Sequence, residues 1–379
     1  MYTKIHPTQN YLKKWLGYMY ILSTVVVVLL IFYLELTGRK KDTVKIHSLL
    51  LNRLMTSSVG KLLNLENFRY VINNDVCSDQ YDDDNLVILL VTSYSGDVEK
   101  RSAVRRAYPS KLLAKFGVRR VFLLSLIDEK KNYNHVSQSA IQDENRRFHD
   151  IIQGNFIEDY RNLTYKHVMG LQWAVNFCPQ AKYIIKMDHD IIFDFYRLNF
   201  LLKKLPRKEL LLAGYVMTRM KPIREPANKW YVSKEEYERV NYPNFLSGWF
   251  YITNPATVRI LLKVTDNLPY FWIDDLYVTG LLVERTNITL FKLNRFYTPH
   301  QEYLQCCVDT PNYVCDYLVG PTSNDNKLMI KFQKYAEACF YKKCKKRTEE
   351  NSLKNTCVVT WKDEPFGKGR AIVDTIKIV

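Results

Sequence analysis

The chain has 379 residues, of which 47% are apolar and 25% charged, the composition of a globular protein with enough material for one large domain or two small ones. Its net charge of +16 suits a polyanion, an anionic membrane surface or a phosphate-bearing substrate. Nucleic acid drops out of that set, because no zinc-finger spacing, ribonucleoprotein aromatic signature or basic-leucine heptad accompanies the charge, and the basic residues are spread along the chain apart from a local density around Lys342 to Arg347.

Residues 15–34 form a stretch of 20 without a charge, including the run Val25, Val26, Val27, Val28, Leu29, Leu30, Ile31 and Phe32. As a helix rising about 1.5 Å per residue, it crosses a hydrocarbon core of about 30 Å. Trp15, Tyr18, Tyr20 and Tyr33 lie toward its ends, where amphipathic rings favour the interface. No small-residue cleavage site follows, so the segment reads as a transmembrane anchor rather than a cleaved signal peptide, with residues 1–14 as a tail. Lys4, Lys13 and Lys14 before it are balanced by Arg39, Lys40, Lys41 and Lys45 after it, which leaves the orientation open. Residues 35–84 read as a stem ending in the acidic run Asp82, Asp83 and Asp84.

A globular domain opens at residue 85. Three short, continuous apolar runs, at residues 86–91, 121–126 and 183–187, have the character of strands buried on both faces. A helix over residues 164–177 places Val168, Leu171 and Val175 on one face and stops before Pro179. Strands alternating with helices predict an α/β domain with a mostly parallel central sheet, extending to residue 320. Residues 321–379 form a cysteine- and lysine-rich C-terminal extension with no assigned elements. Six of the eight cysteines fall between Cys306 and Cys357, a clustering that fits disulfides in an oxidising compartment. Zinc is the alternative, but Cys339 and Cys344 have no nearby His. The sequons Asn162-Leu163-Thr164 and Asn287-Ile288-Thr289 are compatible with the same compartment, and Asn162 equally suits a role in the fold.

The most informative stretch is Lys186-Met187-Asp188-His189-Asp190, where a buried strand ends at two carboxylates spaced i, i+2. Ligands of open α/β sheets bind beyond the carboxyl ends of strands. Two acids there repel each other unless a cation lies between them, and oxygen ligands favour Mn²⁺ or Mg²⁺ with phosphate oxygens and water in the remaining positions. A solvated surface turn is the competing reading of the bare triplet. A phosphatase with Asp188 as nucleophile is another, but there the triplet lies near the domain start, not deep inside it.

Further segments resemble the β-1,3-galactosyltransferase family. Residues 86–91 followed by Arg101-Ser102-Ala103-Val104-Arg105-Arg106-Ala107-Tyr108 are similar to its opening strand and R-x-x-I-R-x-T-W helix, with Tyr108 where Trp is usual. Asp150-Ile151-Ile152-Gln153 and Asp159-Tyr160-Arg161-Asn162-Leu163-Thr164-Tyr165-Lys166 resemble its D-I-I-Q and D-x-Y-x-N-L-T-x-K blocks. The metal triplet resembles K-x-D-D-D with His189 in place of the central acid. Lys229-Trp230-Tyr231-Val232-Ser233, the block from Tyr242 to Gly248, and Asp274-Asp275-Leu276-Tyr277-Val278 follow in the family's order.

The resemblance implies a GT-A-like fold, a type II anchor in the Golgi membrane with a lumenal catalytic domain, and an inverting hexosyltransferase that moves a sugar from a UDP-sugar donor to a glycan acceptor, in β-1,3 linkage. For the site, it points to Asp190 and Asp188 as metal ligands, with His189 as a further candidate. Asp275 is the expected general base, with Asp274 as its alternate; both acids also suit the first turn of a helix. Arg101 and Arg105, four apart on one helix face, are candidates for gripping the nucleotide, as are Lys186 and Asp188, and Gly248 for letting the backbone approach the donor. The departures at Tyr108 and His189 leave a second reading, a non-catalytic relative retained as a glycan-binding or partner-stabilising subunit.

Overall fold

The structure, a computed structural model, describes residues 60–77, 86–128, 134–205 and 209–359. The anticipated tail and anchor at residues 1–34 lie outside the described residues, and no described helix is long and apolar enough to cross a membrane.

An eight-stranded sheet organises the domain. In chain order its strands and those of two small satellite sheets are β1 (Gly60–Leu62), β2 (Leu65–Phe68), β3 (Tyr70–Ile72), β4 (Val87–Thr92), β5 (Val118–Leu126), β6 (Ile151–Ile157), β7 (Tyr183–Asp188), β8 (Ile191–Phe193), β9 (Leu212–Met217), β10 (Phe245–Thr253), β11 (Phe291–Lys292) and β12 (Val319–Pro321). The large sheet runs β11-β9-β10-β7-β4-β5-β6-β3, while β1 pairs with β2 and β8 with β12. Its centre, β7-β4-β5-β6, is parallel, as the three apolar runs lead one to expect. The sheet as a whole is mixed, because β10 runs antiparallel to both neighbours and β3 antiparallel to β6.

The continuous apolar character of β4 has a direct cause. Val87, Leu89 and Val91 point into one core and Ile88 and Leu90 into the other, so no residue of the strand meets water. On the first face lie the helices Val98–Ala107, Phe195–Lys204 and Asn326–Lys342; on the second lie Leu163–Phe177 and Pro255–Val264. The Leu163–Phe177 helix starts one residue earlier than the sequence suggests and is buried nearly all round, not along a single stripe. A side chain at Gly170 would strike Leu123 of β5 at 2.2 Å, which is why glycine occupies the point of closest helix–sheet approach.

Two segments assigned outside the domain by composition are built into it. Residues 60–77 of the anticipated stem supply β3 and the β1–β2 hairpin, and Leu62 and Phe68 enter the second core. In the anticipated C-terminal extension, the Asn326–Lys342 helix buries Leu328, Met329 and Phe332 completely. All eight cysteines are paired, as Cys77–Cys178, Cys306–Cys357, Cys307–Cys315 and Cys339–Cys344, which leaves no thiolate for zinc. The first of these ties residues 60–77 to the end of the Leu163–Phe177 helix across 101 residues of sequence.

Candidate active site

A cleft of roughly 1710 Å³ opens beyond the carboxyl ends of β4 and β7. Strand β7 places Asp188 beside Thr92 of β4, and the chain then turns through His189 and Asp190 into β8. Because β10 runs antiparallel to β7, its early residues Ser247 and Gly248 lie at the same end. The short helix Asp274–Leu276 supplies Asp274 and Asp275 to the same cleft.

Lys186 joins these parts. Its Nζ donates to Asp188 Oδ1 at 2.6 Å and to the Gly248 carbonyl at 2.6 Å, and lies 3.8 Å from Asp274 Oδ2. Burial disfavours its charge, but Asp188 and Asp274 more than compensate, so the ammonium is held in place as a cation. The Gly248 N–H donates in turn to Asp275 Oδ2 at 3.1 Å, and the Leu276 N–H donates to Asp275 Oδ1 at 2.8 Å. The first-turn reading of Asp275 therefore holds in part, alongside its place on the cleft wall.

The two adjacent acids have opposite electrostatics. Burial and the neighbouring Asp274 charge push Asp275 up to about 7, against the pull of Lys186. Burial alone would raise Asp274 too, yet Lys186 and His167 hold it well below the usual carboxylate range. Asp274 is thus a fixed anion, while Asp275 changes protonation near neutrality. Asp188 also rises to about 7, chiefly by burial, with Asp190 and Asp274 adding repulsion and Lys186 opposing it.

Asp188 and Asp190 both face the cleft, and no described side chain donates to the Asp190 carboxylate. Two crowded carboxylates with oxygen donors to spare fit a hard divalent cation that takes its other ligands from diphosphate and water. His189 does not join them: the described residues contain no cluster of three ligating side chains. Its Nδ1 is 2.9 Å from Ser93 Oγ and its Nε2 faces Asp97 at 3.6 Å, so the ring packs back against the end of β4. Burial, with Lys100, Lys166 and Arg101 nearby, lowers its pKa to about 3 and keeps the ring neutral.

Arg101 and Arg105 also depart from expectation. Neither lines the cleft. Arg101 is fully buried, pairing with Glu144 through Nε at 2.8 Å and NH2 at 2.6 Å, and donating to the Tyr94 carbonyl at 2.8 Å. Arg105 bridges Glu144 and Asp150 at 2.6 and 2.7 Å. The i, i+4 spacing marks a face turned toward buried acids, and a buried guanidinium needs such partners. Lys186, by contrast, lines the cleft while donating to Asp188 and the Gly248 carbonyl. Tyr108 is buried, stacked on Phe193 at 4.5 Å, and its hydroxyl serves both the Phe193 carbonyl and N–H. The departure from Trp there supports β8 and leaves the cleft untouched.

A match to the Galactosyltransferase family profile covers residues 99–294. The chain belongs to the galactosyltransferase family. Beta-1,3-galactosyltransferase 5 of Gorilla gorilla gorilla is 35% identical over 209 residues, covering 55% of this chain and 68% of that protein. Beta-1,3-galactosyltransferase 2 of Homo sapiens is 33% identical over 229 residues, covering 59% and 53% respectively, so the match spans about half of that longer relative. Among solved structures, a glycosyltransferase involved in the glycosylation of the major capsid of PBCV-1 superposes with a TM-score of 0.34 at 11% identity, over 66% of this chain and 99% of that one.

In this galactosyltransferase-family chain the blocks at residues 159–166, 186–190, 229–233, 242–248 and 274–278 reach the cleft, whereas those at 101–108 and 150–153 do not. Gly248 leaves little room for a side chain: a Cβ there would meet Asp275 Cβ at 3.1 Å and Lys186 Nζ at 3.3 Å, so both would have to move by a few tenths of an ångström. Gly248→Ala is expected to displace Asp275 and lower the transfer rate roughly 10- to 100-fold, with thermal unfolding little changed, as initial rates and a melting curve will show. Sequence reasoning missed His167, whose two ring nitrogens lie within hydrogen-bond distance of Asp274 and Tyr251. The available signal was a polar residue flanked at i−4 and i+4 by Leu163 and Leu171 on a buried helix. Asn162 donates to the Ile157 carbonyl at 2.9 Å, which gives it a place in the fold.

Proposed function

We propose that this chain is an inverting hexosyltransferase that moves a hexose or N-acetylhexosamine from a UDP-sugar to a hydroxyl of an acceptor glycan, in β-1,3 linkage. The observation that carries this reading is the pairing of unlike acids in one frame. Asp188 and Asp190 stand at the end of β7, and Asp275, with its pKa near 7, is tied to them through Gly248 and Lys186.

Inversion in one displacement needs a base for the acceptor hydroxyl on one side and stabilisation of the leaving diphosphate on the other. Asp275 is the base in this reading, since a carboxylate with a raised pKa accepts a proton near neutral pH. Asp274 stays ionised and keeps Lys186 in place. Asp190, with Asp188 assisting, would hold Mn²⁺ or Mg²⁺, which when bound offsets charge developing on the diphosphate. Trp230, whose Nε1 donates to the Tyr160 hydroxyl at 2.6 Å, and Trp272 line the cleft and give apolar faces suited to sugar rings. The GT-A-like architecture and a type II Golgi placement belong to the same proposal; the four disulfides support an oxidising lumen. Residues 15–34 would be the anchor.

A donor screen read by UDP release, with Mn²⁺ and a panel of glycan acceptors, tests the reading. Release with at least one UDP-sugar is expected, with loss of about 10²-fold or more in Asp190→Ala and on chelation of the metal. UDP binding without release from any donor would instead support the non-catalytic reading.

A further inference from the structure

His167 is completely buried, one turn into the Leu163–Phe177 helix, with Nδ1 2.8 Å from Asp274 Oδ2 and Nε2 2.5 Å from the Tyr251 hydroxyl. Those two contacts, together with burial that disfavours a charged ring, select one proton arrangement. Asp274, held ionised by Lys186, can only accept, so Nδ1 carries the proton. Burial lowers the ring's own pKa against the pull of Asp274, which leaves the imidazole neutral and Nε2 with a lone pair. Tyr251, fully buried on β10 with its pKa well above the ordinary value, keeps its proton and donates to Nε2. The line Tyr251 O–H to Nε2, then Nδ1–H to Asp274, runs through the core to the back of the cleft.

Asp274 is therefore gripped from two sides, by His167 at 2.8 Å and by Lys186 at 3.8 Å. Lys186 holds both Asp188 and the carbonyl of Gly248, whose N–H holds Asp275. We propose that His167 is a positioning residue, which fixes the Asp274 carboxylate against Lys186 and through it sets the placement of Asp188 relative to Asp275. This rests on the transferase reading above. Without the imidazole donor, Asp274 is free to rotate toward the cleft, Lys186 loses a charge that lies 3.8 Å away beside its two hydrogen-bond acceptors, and the donor side and acceptor side of the site lose their common frame.

Two substitutions separate positioning from packing. The amide nitrogen of Asn overlays Nδ1 of His, whereas that of Gln overlays Nε2. His167→Asn keeps the donor to Asp274 and should retain transfer within about tenfold of the wild type; His167→Gln keeps only the Tyr251 contact and should lower kcat roughly 10²-fold with donor KM little changed. A packing role predicts the opposite order, since Gln fills the space better, and equal or greater activity in the Gln variant would overturn the proposal. The ¹⁵N resonances of wild-type histidines, assigned by loss in His167→Asn, give a readout independent of activity. A ring protonated at Nδ1 supports the proposal, and a neutral Nε2–H tautomer, which has no proton to give Asp274, overturns it. If the wild type transfers no sugar while protonation at Nδ1 is observed, the functional reading fails and the placement of His167 stands.

Discussion

Asp275→Asn is expected to lower kcat by about 10²- to 10⁴-fold, the usual contribution of a positioned general base, while leaving donor binding nearly unchanged. The amide fits the same pocket, but its single oxygen accepts from only one of the Gly248 and Leu276 N–H groups, which reach different oxygens of Asp275, so one hydrogen bond is lost along with the proton acceptor. The pH dependence follows from the same electrostatics. With the carboxyl raised to about 7 by burial and by Asp274, the competent ionised form disappears below that pH. kcat/KM should fall about 15-fold as pH drops from 7 to 5.5, and a profile flat over that range would remove Asp275 from the role. The sign of the stability change is fixed as well. A carboxyl raised above its unfolded value of about 3.9 contributes stability that is full below that pH and is lost as pH rises through 7. At pH 8 the Asn variant is relieved of the buried charge but sets its amide NH2 against one backbone N–H, so its melting temperature should lie close to that of the wild type. An inactive variant that melts there is not explained by misfolding.

What made the catalytic strands legible was their double burial. Strands β4 and β7 carry apolar residues on both faces, so no alternation blurs them, and the break at Asp188 stands out because two acids cannot continue a buried strand. The remaining blocks were legible through family resemblance, which gives their order but not the direction in which each side chain points. His189 is the clearest instance. Its place between two acids suggested a ligand, yet the ring, though it lines the same cleft, spends Nδ1 on the Ser93 hydroxyl.

The segments that composition placed outside the domain failed for another reason. The Asn326–Lys342 helix carries Leu328, Met329, Phe332, Tyr335 and Ala336 at helical spacing, but its lysines dominate any local average. Strand β3 is three residues long, and only its partner β6, some 80 residues away in sequence, makes it a strand. The contacts of His167 are of the same non-local kind, since Tyr251 and Asp274 are 84 and 107 residues distant. Local patterns show what a residue prefers. They do not show which distant group it meets.

That distinction is sharpest at Arg101, where the two readings predict different experiments. A guanidinium that gripped nucleotide would be replaced at the expense of donor KM, with the fold intact. The buried pairing predicts instead that Arg101→Ala lowers stability by about 3–5 kcal/mol, read from the denaturation midpoint, because the buried Glu144 loses its bidentate partner. Arg105 still reaches Glu144 at 2.6 Å, which keeps the loss from being larger. Burial alone would raise Glu144, but Arg101 and Arg105 hold it below the ordinary glutamate range. Its contribution is therefore present above the unfolded value of about 4.3 and is lost as pH falls through the depressed folded value. Removing Arg101 should consequently make the acid limb of unfolding begin at higher pH. Activity is expected to fall along with stability, because Arg101 also donates to the Tyr94 carbonyl and lies 3.4 Å from Ser93 Oγ, the hydroxyl that holds His189. A variant with wild-type unfolding and weakened donor affinity would return Arg101 to the nucleotide.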